Sequence, residues 1–139
     1  MEVNDEFTGF TASCFDLLHA GHILMLKEAS EQCGHLIVGL HVDPSIERPE
    51  KNKPIQSLEE RMIQLEGCIY VDEIHVYNTE AELESLLNTL PIDIRIIGEE
   101  YKGKAFTGST NWWHETYYNS RKHNYSTTEL RERIINESV

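Results

Sequence analysis

The sequence is poor in cysteine and has no long apolar run. Only three cysteines occur among 139 residues, far apart and outside any CxxC pair. This spacing disfavours a disulfide framework or a zinc site and favours reduced thiols in the core. No apolar stretch is long enough to span a bilayer, and the acidic N-terminus lacks the basic-then-apolar pattern of a signal peptide. We therefore expect a cytoplasmic protein that does not engage a membrane.

Positive charge is also scarce. Twelve Lys and Arg residues face 24 Asp and Glu residues, so the formal net charge is -12. A field of this sign repels a nucleic-acid backbone, and we predict no nucleic-acid partner. If the chain binds a phosphate-rich ligand, the attraction has to be local, from helix N-termini, a few basic side chains and a divalent metal ion.

The order of the elements predicts the fold class. β-prone segments lie near 7–14, 35–42, 73–77, 93–97 and 115–119, with a helix over 23–33 stopped by Gly34. Three more helices are announced by capping boxes that begin at Ser57, Thr79 and Ser126. This alternation predicts an α/β protein, a Rossmann-like open parallel sheet with helices on both faces, in a single domain over 1–139.

A pair of histidines stands between the first strand and the first helix. His19 and His22 flank Gly21, directly after Cys-Phe-Asp-Leu-Leu. The loop after the first strand belongs at the crevice where strand order reverses, which is where such sheets bind ligands. Two imidazoles, a glycine and a helix N-terminus can hold phosphate. The alternatives are two incidental histidines, or a metal site, for which no third ligand has convincing spacing.

A second hydroxyl-rich helix start lies near the C-terminus. Ser126, Thr127 and Thr128 follow a basic segment that begins at Arg121. This pattern is typical of a helix cap after a surface loop. The same free amides, hydroxyls and arginine also suit the β- and γ-phosphates of a nucleotide, and the two interpretations are compatible.

Both segments resemble signatures of one superfamily. Residues 14–22 resemble the HxGH signature of the nucleotidyltransferases, and the fuller Phe-Asp-Leu-Leu-His-x-Gly-His form resembles the cytidylyltransferase branch, including the glycerol-3-phosphate cytidylyltransferases. Residues 121–128 are similar to the second signature of that branch at Arg121, Ser126, Thr127 and Thr128, and depart from it at 122–125. The resemblance implies transfer of CMP from CTP to a small phosphorylated acceptor, glycerol 3-phosphate-like, with release of pyrophosphate. It also implies Mg²⁺ bound with the nucleotide and a homodimer.

The resemblance assigns roles to individual residues. Catalysis falls to His19, His22, Lys51 and Lys53, and contacts to the base or acceptor fall to Arg61 and Glu99. The nucleotide-binding set is Cys14, Phe15, His19, His22, Arg121, Tyr125, Ser126, Thr127 and Thr128. For the lysines the alternative is a solvated loop, for Arg61 a surface ion pair, and for Glu99 simple solvation. Asp16 either orients its loop or helps to place Mg²⁺, and no residue is assigned as a metal ligand.

Some positions depart from the branch and leave the substrates open. The third helix is acidic, with Glu80, Glu82 and Glu84 where the branch has lysines, so the acceptor need not be glycerol 3-phosphate. Trp112 and Trp113 either cover a pocket or belong to an interface or core. The signatures also resemble the adenylyltransferase that makes ADP-heptose, which gives an ATP-dependent alternative. A catalytically silent nucleotide-binding module is the other alternative.

Overall fold

The computed structural model of the chain describes residues 6–110, 114–120 and 122–137. Within these ranges the chain forms five strands and four α-helices. The strands are β1 (Thr8–Ser13), β2 (His35–His41), β3 (Glu73–Tyr77), β4 (Ile94–Gly98) and β5 (Glu115–Asn119). The helices are α1 (Ala20–Ser30), α2 (Leu58–Glu66), α3 (Glu80–Thr89) and α4 (Thr127–Glu137). Arg121, Trp112 and Trp113, singled out in the sequence, lie outside the described residues.

The strands form one sheet in the order β3-β2-β1-β4-β5. Each neighbouring pair is parallel, so all the strands point the same way. The chain moves outward from β1 to β3 in one direction and from β4 to β5 in the other, so strand order reverses between β1 and β4. The predicted Rossmann-like α/β fold is confirmed, and the reversal places a crevice beyond the ends of β1 and β4.

Two apolar clusters cover the two faces of the sheet. The larger cluster joins Leu26 of α1 and Leu65 of α2 to alternate residues of β2 such as Val38. The smaller cluster joins Leu83 and Leu87 of α3 to the residues of β1 and β2 that point the other way. Because side chains alternate along a strand, neighbouring residues of one strand reach opposite faces. Helices therefore lie on both faces, as the sequence predicts.

The hydroxyls of Ser57, Thr79 and Ser126 cap their helices as the sequence predicts. Ser57 and Glu60 form the full reciprocal box of α2. The Thr79 hydroxyl caps α3 by accepting from Glu82, but the Glu82 carboxylate accepts from Asn78 instead.

Helix α1 begins earlier and ends earlier than predicted. The expected range is 23–33, but the helix spans Ala20–Ser30 because the His19 side chain caps it. Gly34 does not end the helix; its N–H donates to the carbonyl of Phe7 and leads the chain into β2. In the part of the chain that the structure describes, no helix is both long and apolar enough to cross a membrane.

Candidate active site

The loop that joins β1 to α1 is strained where it leaves the sheet. Phe15 and Leu17 adopt φ values of 51° and 52°, in the left-handed region that non-glycine residues rarely occupy. Each such residue costs about 1–3 kcal/mol and persists only where its surroundings fix it. The strain flanks Asp16, which is 7% exposed. The contacts of Asp16 therefore decide how the loop is held.

The Asp16 carboxylate joins three segments of the chain. Its oxygens accept the N–H groups of Ile55 and Gln56, each at 2.9 Å, and Nη2 of Arg131, also at 2.9 Å. Oε1 of Gln56 in turn accepts the N–H of Leu17 at 2.7 Å. The histidine loop, the segment that follows the two lysines, and α4 thus meet at one buried carboxylate. Of the two roles considered for Asp16, this geometry supports orientation of the loop.

The side chains of His19 and His22 both accept backbone N–H groups at the start of α1. Nδ1 of His19 accepts the N–H of Gly21 at 3.0 Å, and Nδ1 of His22 accepts the N–H of His19 at 3.2 Å. An imidazole that accepts at Nδ1 and is neutral carries its proton on Nε2. The two ring centres lie 4.0 Å apart. The helix start therefore fixes both tautomers and leaves two Nε2–H groups as donors.

The environment keeps His22 neutral. Burial lowers the pKa of His22 to about 4, and the neighbouring His19 acts in the same direction, against the opposing effect of Asp16. At pH 7 His22 is thus a neutral N–H donor. A donor held by the backbone needs no reorganisation when negative charge develops in front of it.

The two signature segments meet at the histidines. Nε2 of His19 lies 3.1 Å from Oγ1 of Thr127, the first residue of α4. With Nδ1 accepting, Nε2–H donates to the hydroxyl oxygen. Residues 108 positions apart in the sequence therefore form one cluster of donors at a helix N-terminus.

Gly21 makes this approach possible. A Cβ at this position would lie 3.0 Å from Cε1 of His123 and 3.0 Å from the carbonyl oxygen of Tyr125. The sequence predicts that Gly21 lets the backbone come close to a bound phosphate. The structure shows that it leaves room for the segment that leads into α4.

Other members of the nucleotide-binding set surround this cluster. The Ser126 hydroxyl accepts the N–H of Glu129 at 3.0 Å and so caps α4, while its own O–H remains a donor. Thr128 is exposed. Tyr125 is half exposed and stacks on His123 with ring centres 5.4 Å apart. The N-terminus of α4 thus presents hydroxyls and backbone N–H groups, a combination that binds anions.

The two lysines lie on the loop between β2 and α2. Lys51 and Lys53 are both exposed. This loop leaves the carboxyl end of β2, and its last residues, Ile55 and Gln56, bind Asp16. The lysines are therefore tethered at the edge of the crevice, where their side chains extend into solvent.

Glu99 opens a single 3-10 turn after β4 and is exposed. Its neighbour Glu100 folds back toward the strand, so that a Cβ on Gly98 would overlap the Glu100 carboxylate. The sequence singles out Glu99 for a contact with the base. The structure places the carboxylate of Glu100, in the same segment, against Gly98 at the end of β4.

Arg61 is neither exposed nor paired within its helix. It is 2% exposed, and its guanidinium donates to the carbonyls of Cys14, His41 and Val42 at 3.1, 2.7 and 2.7 Å. Arg61 therefore ties together the carboxyl ends of β1 and β2. The surface ion pair considered from the sequence is wrong, because α2 packs this side chain onto unpaired strand-end carbonyls.

Cys14 lies beside Arg61, whereas Phe15 lies in the core. Sγ of Cys14 is 3.5 Å from Nη1 of Arg61, and burial raises the pKa of the Cys14 thiol. The Phe15 ring is 1% exposed and packs in the larger core cluster, 5.6 Å from the His22 ring. Phe15 therefore supports His22 through packing.

A second polar group lies at the ends of β2 and β3. Oε1 of Glu80 accepts the Thr107 hydroxyl at 2.7 Å and lies 3.2 Å from Nη2 of Arg48. Potential metal-ligand atoms of His41, Glu47 and Glu80 come within 4.8 Å of one another. Glu47 already accepts the N–H of Glu80. Nε2 of His41 lies 3.2 Å from the carbonyl oxygen of Asn78, so all three residues already have hydrogen-bond partners; sequence reasoning noticed only the acidity of α3.

Sequence reasoning also missed Arg131. The signal for it is its place one helical turn after Thr127, on the face that Thr127 presents to His19. Because Arg131 binds Asp16, it fixes α4 against the histidine loop.

The hydrogen-bond donors lie around two helix N-termini, where the strand order of the parallel sheet reverses. This arrangement is typical of phosphate-binding α/β proteins. Residues 10–133 match the family described as Cytidylyltransferase-like, and the chain belongs to this family of the nucleotidyltransferase superfamily.

Curated relatives are bifunctional proteins named HldE. The protein from Campylobacter jejuni (strain RM1221) is 33% identical over 135 residues, covering 96% of this chain and 29% of that protein. The protein from Helicobacter pylori (strain HPAG1) is 37% identical over 126 residues, 90% of this chain and 27% of that protein. The protein from Wolinella succinogenes is 41% identical over 102 residues, 72% and 21%. The chain thus spans less than a third of the length of these relatives.

Solved structures share the fold. A lipopolysaccharide core biosynthesis protein from Thermoplasma volcanium has a TM-score of 0.58 at 20% identity, covering 96% of this chain and 89% of that one. Pantothenate synthetase from Thermus thermophilus has a TM-score of 0.57 at 13% identity, covering 93% and 65%.

Proposed function

We propose that this chain transfers the nucleotidyl group of a nucleoside triphosphate to the phosphate of a sugar-phosphate acceptor and releases pyrophosphate, with ATP as the donor. The observation that carries the proposal is the contact between His19 and Thr127, which brings the two signatures into one cluster of donors. The HldE relatives favour the ADP-heptose-type reaction over a CTP-specific one. The proposal therefore takes the adenylyl alternative ahead of CMP transfer.

The donors suit an in-line displacement at the α-phosphorus. An oxygen of the acceptor phosphate forms the new P–O bond while the bond to pyrophosphate breaks, and pyrophosphate leaves with its electron pair. The acceptor phosphate is already ionised at neutral pH, so no general base is required. Negative charge grows on the equatorial oxygens and the leaving group, where fixed N–H donors lower the barrier.

Each group has a place in this scheme. When the nucleotide binds, the Nε2–H of His19 turns from the Thr127 hydroxyl to a phosphate oxygen at the reacting centre, and the Nε2–H of His22 donates there as well. The N-terminus of α4, with Ser126 and Thr127, holds the departing phosphates. Lys51 and Lys53 extend from the loop after β2 and supply positive charge to the triphosphate or to the acceptor phosphate.

The described residues beside the histidines do not suit a protein-bound magnesium ion. The oxygens of Asp16 already accept three N–H groups, one of them from the Arg131 guanidinium. A carboxylate so engaged is a poor ligand for a cation, and we derive no step through the metal. We expect Mg²⁺ to arrive bound to the triphosphate, since Mg²⁺ commonly binds through substrate phosphates.

CTP is the second candidate donor. It is favoured by the match to the Cytidylyltransferase-like family and by the amino-acid sequence of the histidine loop. The Glu100 carboxylate beside β4 does not separate the two nucleotides, because both adenine and cytosine carry an exocyclic amino group that donates to a carboxylate.

Pyrophosphate release tests the proposal. ATP and CTP are each combined with a panel of phosphorylated sugars and polyols and with Mg²⁺. We expect turnover with ATP and a sugar phosphate. Turnover with CTP alone would replace the proposal by its second candidate.

Single variants test the mechanism. His19→Ala and His22→Ala are expected to lower kcat about 10²–10³-fold each, as removal of one fixed donor does in other enzymes. The matched control is His35→Ala, at the opposite, amino end of β2, whose imidazole binds the exposed Glu73. Unchanged rates in both site variants would refute the assigned donors. Nucleotide binding without turnover of any acceptor would favour the silent module.

A further inference from the structure

Glu28 of α1 holds the end of β5. Its Oε2 accepts the Tyr117 hydroxyl at 2.8 Å and the N–H of Ser120 at 3.0 Å, and its Oε1 accepts the Ser120 hydroxyl at 2.9 Å. All three donors come from β5 or from the residue directly after it. A single carboxylate thus binds both the strand and the point where the chain leaves the sheet.

The environment of Glu28 favours its charged form. Burial alone raises the pKa of Glu28, but the hydrogen bonds from Ser120 and Tyr117 outweigh this effect, and Lys122 adds to them, so the net pKa lies below the ordinary value. Hydrogen bonds to an ionised acceptor are about twice as strong as those between neutral groups. The contact between α1 and Ser120 is therefore a strong one for a half-buried position.

The chain beyond Ser120 leads to the phosphate-binding end of α4. We call residues 122–128 the second phosphate segment. This segment passes Gly21 at close range and reaches His19 through Thr127. Directly upstream of the segment, Ser120 is bound to α1 through Glu28. One helix thus carries the two histidines at its start and anchors the second phosphate segment further along.

We propose that Glu28 is a positioning residue of the nucleotide site: by binding Ser120 and Tyr117 it fixes the second phosphate segment at its distance from His19 and His22. The proposal rests on the proposed function. Glu28 acts through the segment and does not touch the nucleotide. Its removal should loosen the grip on the departing phosphates and leave the histidine donors in place.

Three variants separate positioning from general stability. Glu28→Ala removes the carboxylate. Glu28→Gln keeps one oxygen for Ser120 N–H and Tyr117, and its amide donates to the Ser120 hydroxyl, so it is the conservative rescue. Glu31→Ala is the matched control, because it removes an exposed carboxylate from the end of the same helix.

The kinetic readout is the split between nucleotide and acceptor. For Glu28→Ala we expect the KM for the nucleotide to rise about tenfold, equivalent to about 1.4 kcal/mol of binding, with kcat and the KM for the acceptor changed less than about threefold. Glu28→Gln should recover most of the loss, and Glu31→Ala should match the wild type. An unchanged nucleotide KM, or a glutamine variant as poor as the alanine one, would overturn the proposal.

A second readout does not depend on turnover. Amide hydrogen exchange in residues 122–126 should accelerate in Glu28→Ala and stay unchanged in Glu31→Ala, while exchange in the middle of α1 stays slow in both. Absence of pyrophosphate release by the wild type would refute the proposed function, and nucleotide Kd values from calorimetry would then replace KM in the comparison. Equal exchange in all variants, or a wild type that binds no nucleotide, would overturn the positioning role itself.

Discussion

Replacing Gly21 with alanine tests how closely the two signature segments approach each other. A Cβ there would lie 2.8 Å from Cε1 of His19 and 3.0 Å from both Cε1 of His123 and the carbonyl oxygen of Tyr125. Carbon atoms in good contact are about 3.5–4.0 Å apart. The His19 and His123 rings can rotate, but the Tyr125 oxygen belongs to the backbone. The methyl group must therefore displace His19 or push back the segment at 123–125.

The size of the effect follows from two opposing contributions. Alanine is favoured over glycine inside a helix by about 1 kcal/mol. Overpacking a tight site costs about 1–3 kcal/mol, so the free energy of unfolding should fall by no more than about 2 kcal/mol. Activity should suffer more, because a displaced His19 no longer directs its Nε2–H at the reacting phosphate. Loss of one fixed donor lowers kcat about 10²–10³-fold.

Gly67→Ala is the matched control. The nearest atoms to a Cβ on Gly67 are the carbonyl oxygens of Gln64 and Ile63, both at 3.6 Å, and its φ of -82° suits any residue. Alanine should stabilise the protein there by about 0.4–1 kcal/mol with unchanged activity. Urea unfolding and initial rates of pyrophosphate release measure both variants. Wild-type kcat and KM in Gly21→Ala would refute the reasoning, because the close approach would then be unnecessary.

Three further predictions follow from individual side chains. His22 becomes protonated near pH 6.5 in the unfolded chain but only near pH 4 in the folded protein. The free energy of unfolding should therefore fall as the pH drops through this window, by at most about 1.4 kcal/mol per pH unit. Urea unfolding at several pH values should show a weaker pH dependence for His22→Gln than for the wild type, and equal pH dependence would contradict the prediction. Arg131→Met leaves the buried Asp16 without its ion pair and should lower the free energy of unfolding by about 3 kcal/mol. The control Arg133→Met, at a side chain that is 68% exposed, should lower it by less than about 0.5 kcal/mol. Equal losses would refute the structural role of the Asp16–Arg131 contact. Arg61→Lys cannot reproduce the bonds to several carbonyls and should cost about 3 kcal/mol by calorimetry, so an unchanged Tm would exclude its role in tying the strand ends.

The sheet could be predicted because its signals are local. A strand buried on both faces is a near-continuous apolar run, and the run at 35–42 closely matches β2. The predicted ranges 73–77 and 115–119 coincide with β3 and β5. The start of α1 could not be read in the same way, because histidine is not among the residues that usually cap helices. Its capping role depends on a strained loop that brings Nδ1 of His19 over the N–H of Gly21.

The site was predictable only where its residues form a contiguous pattern. The histidine loop and the Ser-Thr-Thr helix start are each recognisable from a few consecutive residues, and the sequence analysis identified both. The contacts of Arg61 could not be predicted, because it binds carbonyls 20 and 47 positions away. The same holds for Arg131, whose partner Asp16 lies 115 positions away. Such contacts depend on which loops the sheet order brings to one edge, and no local periodicity encodes that.

The acceptor side shows the same limit in its chemistry. The acidic start of α3 indicates from the sequence that a lysine-based acceptor site is missing there. In the structure the charge of Glu80 is bound by Arg48 and Thr107, so its carboxylate holds three segments together at the crevice edge instead of facing solvent alone. Lys51 and Lys53 are exposed on the loop that also carries Arg48. A charge that is already paired within the protein exerts little net field on a ligand. The number of acidic residues in α3 therefore overestimates the electrostatic repulsion of an anionic acceptor at this edge of the sheet. The acidity of α3, compared alone with its counterpart in a relative, therefore does not predict the acceptor.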